Sequence, residues 1–307
     1  MIFFAVFFAL LMEQARPLAR HNGVHGGVRH WTSWVRRTLN AGQSRHGMLI
    51  WSVAVGVPAL LTVLIHWVLS AYSVLLTLAW AVAVLYATLG FRQFSHHFTE
   101  LRTALEQGDE SLARAALADW QRIPEASVPA GDLVQAAIVC SVRSVHRHVL
   151  GVLVCFVACW VIGLGPVGAV IFRLADHMAR SCRSDGAQAS AGAQSEMVCA
   201  AAIQAWRWIN HLPSRATALA FAVVGNFEEA VANWRQQSDA DAKDHDGIVQ
   251  AAAAGALNLK WGSAGEGDTQ LSAPQLAHLT SLVGLVWRSV VLWLLFLALF
   301  VLARSVG

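Results

Sequence analysis

From Met48 to Phe91 the chain runs 44 residues without a Lys, Arg, Asp or Glu. A single helix of that length would measure about 66 Å. The hydrocarbon core of a bilayer is only ~30 Å thick. The run therefore predicts two membrane spans, 48–69 and 72–91, turning near Ser70-Ala71. A third uncharged run, Val149 to Phe172, is interrupted by Gly163, Gly165 and Pro166. Proline removes a backbone donor and clashes with the preceding turn, so a kink or break is expected there. A fourth run, 282–303, is interrupted only by Arg288. Composition agrees, because only 13% of the chain is charged, against about 25% in soluble domains. A water-soluble domain is excluded. The expected fold is all-α: a polytopic helical membrane protein with about four spans and two helical loop regions, in contact with the lipid bilayer.

The expected division is an N-terminal apolar helix and basic segment (1–47), a two-span hairpin (48–91), a helical loop (92–148), a kinked span (149–173), a large helical and linker loop (174–281), and a last span with its tail (282–307). Ile2 to Met12 is apolar but too short to span alone, and it lacks the basic start and cleavage site of a signal peptide. It reads as a shallow or re-entrant helix. Segment 13–47 carries Arg16, Arg20, Arg29, Arg36, Arg37 and Arg45 against the single acid Glu13. That excess places it in the cytoplasm by the positive-inside rule, and the paired spans then return 92–148 to the same side. The third span would export 174–281. If Pro166 marks a re-entrant hairpin, that assignment flips.

Within 92–148, Phe94, Phe98, Leu101 and Leu105 recur at helical spacing. Gly108-Asp109 breaks the phase, so Gly108 ends one helix and Asp109 caps the next. Leu112, Ala116, Trp120 and Ile123 form the second apolar stripe of an αα-hairpin. Pro124 and Pro129 frame a short loop, and Asp132 with Gln135 resembles a capping box for a helix entering the third span. In the large loop, 185–195 is low-complexity, 197–210 and 214–234 read as helices meeting at Pro213, and 236–247 is a polar linker.

Few residue groupings suggest chemistry. Gly262, Gly265 and Gly267 lack the GK[ST] of a phosphate loop. His96-His97 and His146-x-His148 bracket the 92–148 loop, but the expectation is that no carboxylate or cysteine lies at helical ligand spacing to complete a metal site, and no metal or other cofactor is expected. The five cysteines show no CxxC pair and no disulfide framework. Cys155 and Cys159 read as buried apolar residues. Arg143 and Arg147 read as charges flanking a span, and Arg288 as an intramembrane charge within snorkelling reach of the interface.

The order of segments resembles the CobD/CbiB–AmpE family of bacterial inner-membrane proteins. The resemblance covers nearly the whole chain. It rests on LEQGDESLARAAL at 105–117, GPVGAVIFRLAD at 165–176, WINHLPSRATALAFAVVGNFEEAVANWR at 208–235 and WRSVVLWLLFLALFVL at 287–302. It implies a multi-pass protein of the bacterial inner membrane and one of two functional types. One is the synthase that attaches an aminopropanol unit to the corrin side chain in cobalamin assembly. The other is AmpE, linked to β-lactamase induction and cell-wall signalling.

The departures from the synthase pattern favour the second type. Acidic positions of the synthase fall on Val139, Arg143 and Arg147, a later acid on Ala179, and a pair of aspartates on Trp206 and Arg207. Replacing carboxylates by arginine reverses the charge that a metal or an amine-activating base requires. Glu13, followed by a basic stretch rather than a GDP-like motif, also fits the AmpE type. The expectation is thus a regulatory or sensor-like protein without catalytic residues. Its partner would be another protein or a small cell-wall or corrinoid ligand, and not nucleic acid. The cobalamin-pathway synthase, acting on adenosylcobyric acid, is the alternative. Candidate interaction residues are Pro213, Arg215, Asn226, His96, His97 and Glu13. Pro213 and Asn226 are also explained by turn chemistry. Arg215, placed at a helix start where a cation opposes the dipole, suggests a carboxylate, phosphate or lipid-headgroup partner.

Overall fold

The computed structural model describes residues 1–15, 23–38, 46–121, 123, 132–186, 193–259 and 274–306. The glycine loop at 262–267, the Pro124–Pro129 loop and most of the low-complexity stretch lie outside them. Among the described residues the chain is helical and contains no β-strand. In order come α1 (Ile2–Ala15), α2 (Gly23–Thr38), α3 (His46–Tyr72), α4 (Val74–Thr88), α5 (Phe91–Glu106), α6 (Glu110–Gln121), α7 (Leu133–Val145), α8 (Gly151–Val161), α9 (Val167–Gly186), α10 (Ala193–Val224), α11 (Phe227–Ala240), α12 (His245–Ala256) and α13 (Leu276–Val306). A π-helical turn, His146–Leu150, joins α7 to α8.

Three described stretches are long and apolar enough to cross a membrane: Gly47–Tyr72, Leu133–Val161 and Leu276–Ala303. The expected second span is the shorter helix α4, of 15 residues. The third begins at Leu133, well before the expected residue 149, because α7 runs into α8 through the π turn. The expected kink or break takes the form of a break, between α8 and α9. The chain leaves α8 at Val161 and turns through Gly163 and Gly165, both at positive φ. It re-enters a helix just after the proline, where the missing N–H costs nothing. Outward-facing Leu60, Leu61, Leu64 and Val68 on α3, and Val291, Leu295, Leu299 and Leu302 on α13, are exposed in the isolated chain. They suit contact with lipid tails.

The chain divides into two compact units, 1–89 with 151–213, and 90–150 with 214–307. In the first, α9 packs back along α8 and α3. At one end, Trp67 donates its indole N–H to the Gly163 carbonyl at 3.4 Å. A Cβ on Gly165 would fall 2.4 Å from the His66 ring, so the turn closes against α3 only with glycine there. At the other end, Leu174, Met178 and Cys182 of α9 join Val35 of α2, Ile50, Ala54 and Val55 of α3, and Val198 and Ala202 of α10 in one apolar cluster. The α8–α9 hairpin thus brings the chain back to the end of this unit at which α3 begins. A Cys182–Cys199 disulfide joins α9 to α10 there, with 5.1 Å between the Cα atoms. It corrects the expectation of unpaired cysteines. The partners are 17 residues apart, and only the fold brings them together.

In the second unit α5 and α6 form the expected hairpin. Gly108 takes φ +71°, and the Asp109 carboxylate accepts from the Leu112 N–H at 3.0 Å. The Asp132 carboxylate accepts from Val134 and Gln135 at 2.8 and 3.3 Å, opening α7. The expected 236–247 linker is mostly helical instead. Helix α11 runs to Ala240, and Asp244 caps α12 by accepting from Gly247 at 3.0 Å. Helices α11 and α12 meet through small residues: a Cβ on Gly255 would sit 2.3 Å from the Glu229 carbonyl oxygen. Such close backbone approach is what glycine and alanine permit between helices.

Candidate functional site

Each unit holds a buried group of charged side chains. In the first, Glu13 near the end of α1 is 5% exposed, Asp176 of α9 1% and Asn210 of α10 0%. Arg173, Asp176 and Arg180 lie three and four residues apart on α9, so one helix face carries all three. Arg180 Nη2 forms an ion pair with the Asp176 carboxylate at 2.8 Å, whereas Arg173 stands 3.9 Å from the same oxygen. The ring of Phe172 lies 5.0 Å from that of the buried Trp206 and closes one side of this face.

In the second unit the π turn places His146 and Arg147 facing inward. π-Helical turns break the regular ladder and occur often at functional sites. His146 Nδ1 is 3.0 Å from the Thr217 hydroxyl. Arg147 Nη2 donates to the Asp246 carboxylate of α12 in a largely buried ion pair. Burial is the largest single influence on Asp246 and pushes its carboxyl upward, but the charges of Arg147, His146 and Arg143, with the Arg147 hydrogen bond, outweigh it and hold the group below the usual carboxylate range. Arg147 is therefore not a charge at the flank of a span, as expected. It lies midway along Leu133–Val161 and is neutralised from within the protein.

The expected site residues do not converge. Pro213 lies inside the continuous helix α10 and is not a joint between two helices. The packed residues on either side, Trp206 and Phe221, hold the helix through a position where proline is locally unfavourable. Arg215 is consequently mid-helix and half-buried, and the argument from a helix start does not apply to it. Asn226 is the N-cap of α11, accepting from Glu229 at 3.3 Å and donating to Asn258 at 2.6 Å. His96 and His97 stay together on α5. His96 Nδ1 is 3.4 Å from Glu100, and His97 stacks on Trp120, 3.8 Å from Asp119. Glu100, at i+4 from His96, is the carboxylate that the sequence reading overlooked. Arg288 donates to the carbonyl of Val224 at 3.1 Å, the last residue of α10, where a cation suits the helix dipole. Glu13 alone of the expected residues falls within a buried charged group.

The family model described as "CobD/Cbib protein" matches residues 3–277. The chain belongs to the CobD/Cbib protein family. Among curated relatives it is similar to a cobalamin biosynthesis protein CobD of Stutzerimonas stutzeri (strain A1501), 28% identical over 83% of this chain and 82% of that one. It is also similar to a cobalamin biosynthesis protein CobD of Chromobacterium violaceum, 29% identical over 67% of this chain and 64% of that one. No solved structure matches.

These relatives overturn the AmpE-like regulatory reading, and nothing in them favours AmpE over the synthase. The error lay in comparing acids position by position. Where the synthase pattern has an acid, this chain has Arg147, which pairs with the carboxylate of Asp246, 99 residues later. Likewise Asp176 supplies a buried carboxylate one turn before Ala179. A divalent metal does not fit the groups so assembled. Among the described residues no three His, Cys, Asp or Glu side chains form a metal site, and Asp176 and Asp246 each already face an arginine. No step is assigned to a metal here.

Proposed function

We propose that this protein is a cobalamin-pathway synthase of the bacterial cytoplasmic membrane, joining an aminopropanol unit through an amide bond to the corrin side-chain carboxylate of adenosylcobyric acid. The observation that carries this reading is the extent of the family match, residues 3–277, which takes in both buried charged groups. Amide formation needs the carboxylate activated, one of its oxygens leaving on a phosphoryl group that ATP supplies, and an amine held as the free base and oriented toward it. Buried arginine–carboxylate groups suit the handling of carboxylate and phosphate substrates. The substrates are polar and the protein is apolar, so polar groups enclosed by helices are where they would be held.

We read the chain as multi-pass, with the end of the first unit that carries Arg29, Arg36 and Arg37 of α2 on the cytoplasmic side. The α8–α9 hairpin supports placing the end of α9 near Cys182 at the same end of the unit as Val35 of α2, with which Cys182 and Val198 share a cluster.

The test is an assay of detergent-solubilised protein with adenosylcobyric acid, aminopropanol phosphate and ATP. Formation of the amide-linked corrinoid is expected. Absence of product, while a relative's synthase is active under the same conditions, would overturn the reading.

A further inference from the structure

Arg173 is the buried cation whose hydrogen bonds are least accounted for. Its side chain is 14% exposed, and its Nη1 is shut off from solvent without a hydrogen-bond partner among the described residues. The nearest carboxylate oxygen, on Asp176, is 3.9 Å away and is the one that Arg180 holds at 2.8 Å. A guanidinium carries five N–H donors in a rigid fork, and leaving such donors unused in a buried place is costly. The local charges also leave room for an anion. Arg173 and Arg180 balance Glu13 and Asp176 in formal charge, so an incoming oxyanion meets no net repulsion.

We propose that Arg173 receives an oxyanion group of the substrate, a carboxylate or a phosphate monoester, at this charged face of α9. The proposal rests on the synthase reading and names the residue that anchors one substrate. Asp176 and Arg180 act as positioning residues: the Asp176 carboxylate lies 2.8 Å from Arg180 and 3.9 Å from Arg173, closer to the former.

The experiment titrates the full-length protein in detergent with adenosylcobyric acid and, separately, with aminopropanol phosphate. Binding is measured by calorimetry for the wild type, Arg173→Gln and Arg173→Lys. Arg173→Gln should weaken one of the two ligands by about 10- to 100-fold, the usual size for a lost charge-assisted hydrogen bond. Arg173→Lys should recover part of the loss, since it restores charge without the fork. Which ligand is weakened tells carboxylate from phosphate. Equal binding of both ligands to wild type and Arg173→Gln would overturn the proposal and leave Arg173 as an internal counter-ion. Binding of neither ligand to the wild type would also overturn it. Turnover of the wild type is followed alongside. Turnover with binding unaffected by Arg173→Gln sinks only this proposal, whereas Arg173-dependent binding without turnover sinks only the synthase reading. If Arg173→Gln elutes as aggregate, the Arg173→Lys titration alone decides, with an unchanged affinity for both ligands counting against the proposal.

Discussion

The two units bury charge in opposite ways. In the first, Arg173, Asp176 and Arg180 come from successive turns of a single helix, and the ion pair at 2.8 Å joins residues four apart. In the second, Arg147 meets an aspartate 99 residues away on another helix. A local pair forms whenever its helix forms. A long-range pair forms only when two helices are packed in the right register, so it reports on the tertiary fold. The exposures differ too: the Arg180 side chain is 40% exposed and its partner Asp176 1%, whereas those of Arg147 and Asp246 are 6% and 16% exposed.

The contrast is broken most directly by removing one arginine from each unit. Arg147→Met leaves Asp246 as a buried charge without its counter-ion, which typically costs about 3–5 kcal/mol. The double variant Arg147→Met/Asp246→Leu removes both charges and should recover most of that loss. Arg180→Met removes the closer cation from the buried Asp176 but leaves Arg173 3.9 Å away as a counter-ion, so a smaller loss, about 1–3 kcal/mol, is expected. Unfolding of the purified protein in mixed micelles of increasing SDS content measures all three. An Arg180→Met loss as large as that of Arg147→Met would erase the distinction.

Packing supplies a second comparison of intermediate size. A Cβ on Gly168 would meet the Cys155 carbonyl oxygen at 1.9 Å, where α8 and α9 of the first unit touch. Gly108 in the second unit has φ +71° but nothing within 4 Å of its Cβ position. Gly168→Ala must push two backbones apart, and overpacking of this kind costs about 1–3 kcal/mol. Gly108→Ala suffers only backbone strain, about 1 kcal/mol. The same unfolding titration ranks them, and the reverse order would mean that the α8–α9 contact yields more easily than its geometry implies.

What could be read from the sequence follows the same division between local and long-range. Uncharged length alone marks α3 and α13 as spans, and the phase break at Gly108-Asp109 marks the α5–α6 turn, because each depends on neighbouring residues. The Asp132 cap was legible for the same reason. The Arg147–Asp246 pair and the Cys182–Cys199 disulfide were not, since no local pattern records which helix packs on which. Pro213 misled in a related way. Its local cost predicts a helix end, but packing around Trp206 and Phe221 carries α10 through it. Of the candidate site, only Glu13 was singled out. Arg173 sat within a quoted family motif, and its i, i+3, i+7 relation to Asp176 and Arg180 was available as a signal that one face of α9 bears charge.

The smallest effect expected separates the two kinds of charge by pH. Arg147 and its neighbours hold the Asp246 carboxyl below the usual range. The Leu112 N–H, and then the Ser111 hydroxyl, do the same for the exposed carboxyl of Asp109. In both cases the folded-state value is the lower one. The stabilisation is therefore complete above the ordinary carboxylate value of about 4 and is lost as pH falls through the folded-state value. Protonating Asp246 releases an inter-helix bond and should lower the global unfolding midpoint. Protonating Asp109 releases only the cap of α6, so the change should be confined to hydrogen exchange at Ser111 and Leu112, after correction for the intrinsic pH dependence of exchange. Asp109→Asn keeps an N-cap acceptor without a titrating group. It should abolish the acid-induced local opening while leaving the pH dependence of the global midpoint unchanged. A shift of that midpoint in Asp109→Asn would show that the α5–α6 turn is coupled to the fold as strongly as the Arg147–Asp246 pair.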